Sequence, residues 1–259
     1  MFGIRWRRAG ASPAAFTRIA KKKTMLKSFF AAADSGGATV DTRLLNPRLR
    51  AGETLRGEVV VSGGAVDQDI ARIALLLLAE AERGGGERRE ALTLASLPVS
   101  GPCRIPAACQ WRLPFQLTLP EDTPVNCHPA LGGEPLVWIH TDLALNRPRD
   151  AGGGDRLQVL PTRQAETVLR AFSSLGWELS GPARATGSPV CRQWFELRPR
   201  DAGWNWNGIA LTFVSDGRGV SHAMVEIDAA DGEHCLSLRM EPDWEDRDWE
   251  LEIRARLGW

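Results

Sequence analysis

Three apolar runs near the start of the chain, separated by turn residues, predict three consecutive antiparallel strands. Residues 40–44 alternate apolar and polar side chains with a period of two, as expected for a strand that buries one face. A β-branched run at residues 52–61 and an almost wholly apolar run at residues 70–78 follow. Because glycine takes a positive φ without steric cost, Gly63-Gly64 predicts a turn that sets the register of the strands around it, with Gly64 at a positive φ.

Alternation resumes further along the first half of the chain and predicts a β-sandwich there. In residues 90–97, the leucines are predicted to point inward. Two more runs lie at residues 109–120 and 136–145, and Pro114 within the first of them favours an edge strand. Several strands joined by turns that contain glycine and proline, with no helix between them, are typical of a sandwich.

Several residues in and between these predicted strands are typical of one known family. The shared positions are Val40-Asp41-Thr42-Arg43-Leu44, Gly52-Glu53, Gly57, Gly63-Gly64, Gln68-Asp69-Ile70, Ile73, Leu113-Pro114-Phe115 and Leu119-Pro120. In these positions the chain resembles the bacterial sporulation-control proteins of the arrestin-like superfamily, and the resemblance begins at Met25. Ala51 is a departure, because that family usually has proline there. The resemblance implies an arrestin-like fold and a cytoplasmic regulator or adaptor that binds protein partners without catalysis.

The second half of the chain is predicted to form a second sandwich. Residues 146–155 have the glycine- and proline-containing composition of a connection, which places the domain boundary near Gly153. Thr162 is predicted to cap one helix, near residues 162–174. Predicted strands then follow at residues 177–179, 193–198, 209–214, 224–228 and 235–240.

The last alternating run, residues 249–257, has features of both a strand and a helix. Its apolar residues alternate with acidic and basic residues in a period of two, although most residues of the run are good helix formers. On this alternation we predict a strand.

These patterns predict an all-β fold with two arrestin-like β-sandwich domains in tandem and one or two short helices. The predicted domains are residues 25–150 and residues 151–259. Residues 1–24 include basic residues but no acidic ones, and we expect either a disordered extension or a start codon assigned too far upstream. The alternative for this segment is a basic tail that associates with a membrane surface.

Composition and charge exclude several classes of partner. The chain has 259 residues, with 32 basic and 32 acidic side chains, so the overall attraction that nucleic-acid-binding proteins exert on a polyanion is missing. The longest apolar run, around Leu75, is interrupted by Glu80 and Glu82 before it reaches the length of a membrane span. We therefore expect a soluble protein, located in the cytoplasm, that binds no nucleic acid.

Cysteine spacing argues against a metal site and a disulfide framework. Cys103, Cys109, Cys127 and His128 are the best candidate ligands, but the first two are too far apart for the paired ligands of a structural zinc site. The cysteines are predicted to be reduced thiols in the absence of a secretory signal. An acidic run lacks the glycine-centred spacing of a calcium loop and is predicted to be a solvated face; it comprises Asp243, Glu245, Asp246, Asp248 and Glu250.

The histidines do not form a catalytic motif in the sequence. Ser221-His222 and His140 with Asp142 are the available pairings, and neither lies in a nucleophile-elbow motif. We predict no catalytic, cofactor-binding or metal-binding residues and a protein that is not an enzyme. The alternatives are a hydrolase-like enzyme, in which His140, His222 or His234 would meet acidic residues in a cleft between the domains, and a membrane-peripheral scaffold.

Overall fold

The computed structural model describes residues 37–82, 89–143, 154–181, 184–187, 191–201, 206–229 and 232–258. The predicted extension, residues 1–24, and the predicted boundary near Gly153 lie outside these residues. All elements below belong to one compact unit, Ala31–Trp259.

The described residues form strands of varied length in the first half and, in the second half, a meander of long strands with two α-helices. The strands are β1 (Thr39–Leu44), β2 (Arg48–Arg50), β3 (Thr54–Ser62), β4 (Gln68–Ile70), β5 (Ile73–Glu82), β6 (Arg89–Ser100), β7 (Cys103–Ile105), β8 (Gln110–Thr118), β9 (Val137–Asp142), β10 (Asp155–Arg156), β11 (Gln158–Leu160), β12 (Trp177–Leu179), β13 (Arg184–Gly187), β14 (Cys191–Pro199), β15 (Trp206–Ser215), β16 (Ser221–Ala229) and β17 (Gly232–Met240). The helices are α1 (Arg163–Ser174) and α2 (Trp249–Leu257), and single 3₁₀ turns occur at Pro129–Leu131 and Trp244–Asp246.

These strands are arranged in two larger sheets and two isolated pairs. One sheet has three strands in the order β1-β3-β8. The other has ten strands, along the path β10-β9-β5-β13-β14-β15-β16-β17, with β6 beside β5 and β12 beside β14. Separately, β4 pairs with β7, and β11 runs parallel to β2. All described pairings are antiparallel except β11 with β2 and a single contact of β13 with β5.

The three predicted runs all contain strands, and the third is a central strand as predicted, but it does not belong to the same sheet as the first two. β1 pairs with β3 from Thr39 opposite Ser62 to Leu44 opposite Gly57. β5 instead lies in the larger sheet, where it pairs with β6 and β9. Most of its side chains are buried irrespective of which face they are on, which explains why its sequence is almost wholly apolar rather than alternating.

A first hydrophobic core lies between the three-stranded sheet and the β5–β9 part of the larger sheet. Its fully buried members come from both layers and include Leu55, Val59 and Val61 of β3 and Ile73, Leu75, Leu77 and Ile139 of the opposite layer. Leu157 and Val159, from the segment around β11, are also buried in this core. Residues of β3 and of the segment around β11, which are far apart in the sequence, therefore meet in the first core.

Strand β6 changes the face that it buries partway along its length. Before the middle of the strand the partly buried residues are the even-numbered Leu92 and Leu94. From Ala95 onward they are the odd-numbered Ala95, Leu97 and Val99. The pairing with β5 shifts register at this point, between Leu77 and Leu78. A β-bulge inserts one residue into a strand and reverses the direction of the side chains beyond it, so the shift in the hydrophobic pattern matches the bulge.

A second hydrophobic core lies between strands β14–β17 and the two α-helices. Helix α1 begins where the sequence predicts, with Thr162 Oγ1 accepting a hydrogen bond from the backbone N–H of Ala165 at 3.2 Å. Its inward side chains include Val168 and Phe172, both fully buried. The five strands predicted after it are all present as strands. The division into tandem sandwich domains stays a prediction.

The C-terminal segment is a helix, so the prediction of a strand at residues 249–257 is wrong. Asp248 caps α2 by accepting a hydrogen bond from the N–H of Leu251 at 3.0 Å, and Gly258 ends it with a φ of 72°. Trp249 and Ile253 lie one helical turn apart and are both buried in the second core. The caps and this spacing of four residues outweigh the alternation of period two.

The backbone constraint predicted at Gly64 occurs at Gly63 instead. Gly64 does not have a positive φ. A Cβ atom at Gly63 would lie 2.1 Å from the carbonyl oxygen of Pro106, and the Gly63 N–H donates to the Cys109 carbonyl at 2.8 Å. The glycine is therefore required by a close approach of two backbone segments, not by a left-handed conformation.

We expect Gly63→Ala to lower the free energy of unfolding by about 1–3 kcal/mol, because backbone atoms must move to admit the methyl group. Gly101→Ala is the matched control, since a Cβ there would meet nothing within 4 Å. Urea unfolding of both variants measures the difference. Equal stability of the two variants would contradict the close approach.

Candidate functional site

An open cleft of about 480 Å³ lies where the first and second cores meet. The first-core side contributes the end of β8 and the turn after it, and the second-core side contributes the start of β14 and the end of β15. The lining residues are Gly52, Thr118, Leu119, Pro120, Glu121, Asp122, Cys191, Arg192, Phe213, Val214, Ser215 and Gly217. A smaller void of about 40 Å³ adjoins the cleft and is lined in part by the same residues.

Charged side chains face this cleft from both sides. Glu121 and Asp122 are exposed on one side and Arg192 is exposed on the other. None of the three forms a salt bridge with another residue in the part of the chain that the structure describes. Burial of part of its carboxyl group raises the pKa of Asp122, and Arg192 opposes this rise. The cleft thus presents two carboxylates and one guanidinium group to a binding partner.

Cys191 lies at the inner end of the cleft and is a poor nucleophile. Only 3% of its surface is exposed. Burial, with a smaller contribution from the nearby Asp122 carboxylate, raises the pKa of its thiol to about 12. Because the thiolate is the reactive form of cysteine, this side chain stays protonated and unreactive near neutral pH.

A buried glutamine clamps the connecting segment behind the cleft onto the second core. The side chain of Gln193, on β14, donates through Nε2 to the carbonyl of Val125 and accepts through Oε1 from the N–H of Val125, each at 2.7 Å. Gln193 is 8% exposed, and Thr212 donates to its backbone carbonyl at 2.9 Å. Val125 packs in the second core, so this pair of hydrogen bonds fixes the segment that leads from β8 to β9.

The same connecting segment is also tied to the first core. Asn126 donates to the carbonyls of Pro135 and Leu157 and accepts from the N–H of Val159 at 2.8 Å. Leu157 and Val159 belong to the first core, whereas Val125 belongs to the second. The adjacent residues Val125 and Asn126 therefore connect the two cores through buried hydrogen bonds.

An ion pair links β2 to helix α1. Arg50 Nη2 lies 2.8 Å from Glu166 Oε2, and Arg50 Nη1 donates to the carbonyl of Pro161 at 2.8 Å. Glu166 lies in the first turn of α1, where a carboxylate also interacts favourably with the helix dipole. This contact and the segment around Val125 give the cleft walls a defined relative position.

The candidate residues from the sequence lie outside this cleft. None of the four histidines is among the residues that line it. His128 caps the 3₁₀ turn at Pro129–Leu131, and His222 Nδ1 lies 3.3 Å from Ser237 Oγ. His140 lies on β9, two residues before Asp142, and His234 lies on β17. The histidines therefore do not meet Glu121 and Asp122 in this cleft, as the alternative of a hydrolase-like enzyme would require.

The cysteines are free thiols, on several different elements. Cys103 lies on β7, whereas Cys127 and His128 lie in the segment between β8 and β9. Within the residues that the structure describes, no three His, Cys, Asp or Glu side chains are grouped to hold a metal ion. No described helix is long and apolar enough to cross a membrane.

A half-buried acidic residue predicts a dependence of stability on pH. Burial, reinforced by the neighbouring charge of Asp41, raises the pKa of Asp155 on β10 to about 6. The folded protein therefore binds this proton more tightly than the unfolded chain, whose aspartates titrate near pH ~4. The resulting stability is fully present below the unfolded pKa and is lost as the pH rises through about 6.

We expect Asp155→Asn to be less sensitive to pH than the parent, because asparagine has no proton to lose. The gain in stability of the variant over the parent should grow between pH ~4 and ~7. Urea unfolding across this range measures it, with Asp201→Asn, at an exposed position, as the control. Parallel pH profiles for Asp155→Asn and the parent would be the contrary result.

Comparison with known proteins identifies the family and a solved relative of similar fold. A sequence model of the family described as "Spo0M: SpoOM protein" matches residues 26–230. The chain is 33% identical over 159 residues to the sporulation-control protein spo0M of Bacillus subtilis (strain 168), an alignment that covers 61% of this chain. It covers 60% of that relative, so this chain spans less than two thirds of the relative's length.

The fold is similar to that of a solved relative. The crystal structure of Spo0M, sporulation control protein, from Bacillus subtilis has a TM-score of 0.73 and 27% sequence identity to this chain. The similarity covers 86% of this chain and 98% of that one. The all-β, arrestin-like fold class and the family resemblance predicted from the sequence are confirmed. The family's sequence model matches most of the chain, and the chain therefore belongs to the Spo0M family.

Proposed function

We propose that the protein is a cytoplasmic regulator without catalytic activity, and that it acts by binding a protein partner in the cleft between its two cores. The name of the Bacillus subtilis relative, a sporulation-control protein, supports a regulatory role.

The observation that carries this proposal is the arrangement of charge in the cleft. Glu121 and Asp122 come from the first-core side, Arg192 comes from the second-core side, and none forms a salt bridge among the described residues. A partner segment that carries both a basic and an acidic side chain would pair with both sides at once. Phe213 offers apolar contact in the same cleft. Charged groups of this kind favour the correct partner and its correct orientation.

The same residues favour binding over catalysis. Proton transfer in enzymes depends most often on histidine, and no histidine lines the cleft. The cysteine that does line it, Cys191, keeps its proton because burial raises the pKa of its thiol. The charged groups available to an enzyme at this position would be Glu121, Asp122 and Arg192.

The proposal is tested by exchanging the charges in the cleft. The reference measurement compares the transcripts of the parent strain with those of a strain that lacks the gene for this protein. We expect Asp122→Arg with Arg192→Glu to reproduce the difference between these strains, because a partner then meets charges of the wrong sign. Replacing His128, His140, His222 and His234 together by glutamine should leave the transcripts as in the parent strain.

Asp69→Arg with Arg48→Glu is the matched control, since both residues are exposed and lie outside the cleft. Thermal melting of each purified variant confirms that it is folded. A folded cleft variant that behaves like the parent would overturn the proposal. A folded histidine variant that behaves like the deletion would favour an enzyme instead.

A further inference from the structure

Most edge strands of the described sheets are blocked against pairing with another strand. β8 lies at an edge, as Pro114 predicts, and this proline offers no N–H for a further strand. β6 contains a bulge and Pro98. β1 has six residues. Bulges, prolines and short strands are the usual protections of a sheet edge.

Strand β17 is an edge without these protections. It is the last strand on the path of the larger sheet and pairs on one side with β16, residue for residue, with no register shift. No described strand pairs with its other side. It has nine residues and no proline, and Glu233 and Cys235 are exposed. In an antiparallel strand, the N–H and C=O groups of alternate residues point to the side away from the neighbour.

The sequence of β17 is complementary to itself in antiparallel orientation. If two copies pair about a two-fold axis at Leu236, Glu233 of one copy lies opposite Arg239 of the other, and this pair occurs twice. On the same face, Cys235 lies opposite Ser237. On the face toward the second core, Leu236 meets its counterpart and His234 lies opposite Leu238. Opposite charges that face each other across a strand pair stabilise that register.

We propose that two copies of this chain associate through β17, as an antiparallel, two-fold symmetric continuation of the larger sheet centred on Leu236. The two-fold axis requires odd-numbered residues to face odd-numbered residues and even-numbered residues to face even-numbered ones. The register centred on Leu236 meets this condition and also pairs unlike charges. A closed, two-fold interface of this type uses the same surface on both copies and ends the assembly at a dimer.

The contacts already present are compatible with this pairing. Arg239 lies 3.4 Å from Glu241 of its own chain, and the two side chains are 60% and 41% exposed. Exposed ion pairs contribute little free energy, so Arg239 can exchange this partner for Glu233 of the second copy. Leu236 is half-buried against the second core, and pairing covers it further. One strand edge is a small interface, so the dimer should be weak and dependent on concentration.

Charge exchange provides a direct test by sedimentation equilibrium across a range of concentrations. We expect the parent to dimerise reversibly and Glu233→Lys and Arg239→Glu each to weaken dimerisation by roughly 10-fold or more, because each sets like charges opposite one another. The double variant should recover to within about 3-fold of the parent. An equimolar mixture of the two single variants should form a heterodimer, since the lysine introduced in one chain then faces the glutamate introduced in the other.

Glu226→Lys is the matched control, because Glu226 is exposed on the neighbouring strand β16 and makes no contact across the two-fold axis. Hydrogen exchange followed by mass spectrometry identifies the interface, and slower exchange in residues 232–240 at high concentration supports the proposal. A parent that stays monomeric throughout would overturn it. A dimer that neither single variant weakens, or that leaves residues 232–240 equally unprotected, would overturn it as well.

Discussion

Replacing Trp249 with alanine should lower the free energy of unfolding by about 3–5 kcal/mol, the usual cost of removing a large buried aromatic side chain. Trp249 is 4% exposed and packs in the second core, where α2 lies against α1 and the sheet. Its indole N–H also donates to the carbonyl of Trp244 at 2.8 Å and holds the preceding 3₁₀ turn. The alanine variant loses this packing and the hydrogen bond together. Chemical unfolding at constant pH measures the difference.

Leu251→Ala is the control that separates a helix from a strand in this segment. In a strand, Leu251 would share the buried face with Trp249, and both substitutions would be costly. In the observed helix Leu251 is 65% exposed, so its replacement should change stability by no more than about 0.5 kcal/mol. Comparable losses in both variants would contradict the helix.

Replacing Gln193 with methionine should cost about 2–6 kcal/mol, although the two side chains have similar size. Methionine fills the same space but cannot pair with the N–H and C=O of Val125. Each of these buried backbone groups would then lack a hydrogen bond, at roughly 1–3 kcal/mol apiece. Because the clamp holds the segment that connects the two cores, we also expect faster proteolysis within residues 120–135.

Arg198→Met is the matched control for Gln193→Met, because it introduces the same side chain at an exposed position of the same strand. Its stability should stay close to that of the parent. Urea unfolding and limited proteolysis of the two variants are compared side by side. If Gln193→Met unfolds at the same urea concentration as Arg198→Met, the pair of hydrogen bonds does not hold the connection.

Most of the strands and the first helix follow from local sequence. Alternation of period two locates β1, β8 and β9, a β-branched run locates β3, and runs bounded by turn residues locate the strands from β14 to β17. The short strands β2, β7, β10 and β13 were not predicted. The capping residue Thr162 and the spacing of Val168 and Phe172 locate α1. These signals are local, because a strand or helix with one buried face imposes its period on its own residues.

Helix α2 shows where a single signal misleads. Trp249, Leu251 and Ile253 satisfy a period of two, but Trp249 and Ile253 also satisfy the spacing of one helical turn. Asp248 before the segment and Gly258 after it are the residues typical of helix caps, and Glu252 pairs with Arg256 at 3.0 Å. Giving the caps more weight than the alternation would have predicted the helix.

The partners of strands and the cleft could not be predicted in this way. The strand β5 is evident from its apolar run, but the identity of its neighbours depends on residues far away in the sequence. The cleft combines charged residues from the turn after β8 and from the start of β14, and no local motif connects them. Gln193 carried one available signal: it occupies an inward position of β14, between Cys191 and Phe195, where an apolar residue is expected.

The parallel pair of β2 and β11 affects how the chain can fold while it is being synthesised. Arg48 lies opposite Gln158, and Leu157 and Val159 complete the first core. A ribosome that has translated the chain as far as residue 150 has made Arg48 but has not yet made Leu157, Gln158 or Val159. The first core therefore cannot close on the nascent chain until residue 160 has left the exit tunnel, when translation of the second core has already begun. A fragment meant to fold as the first core alone must likewise extend through Leu160.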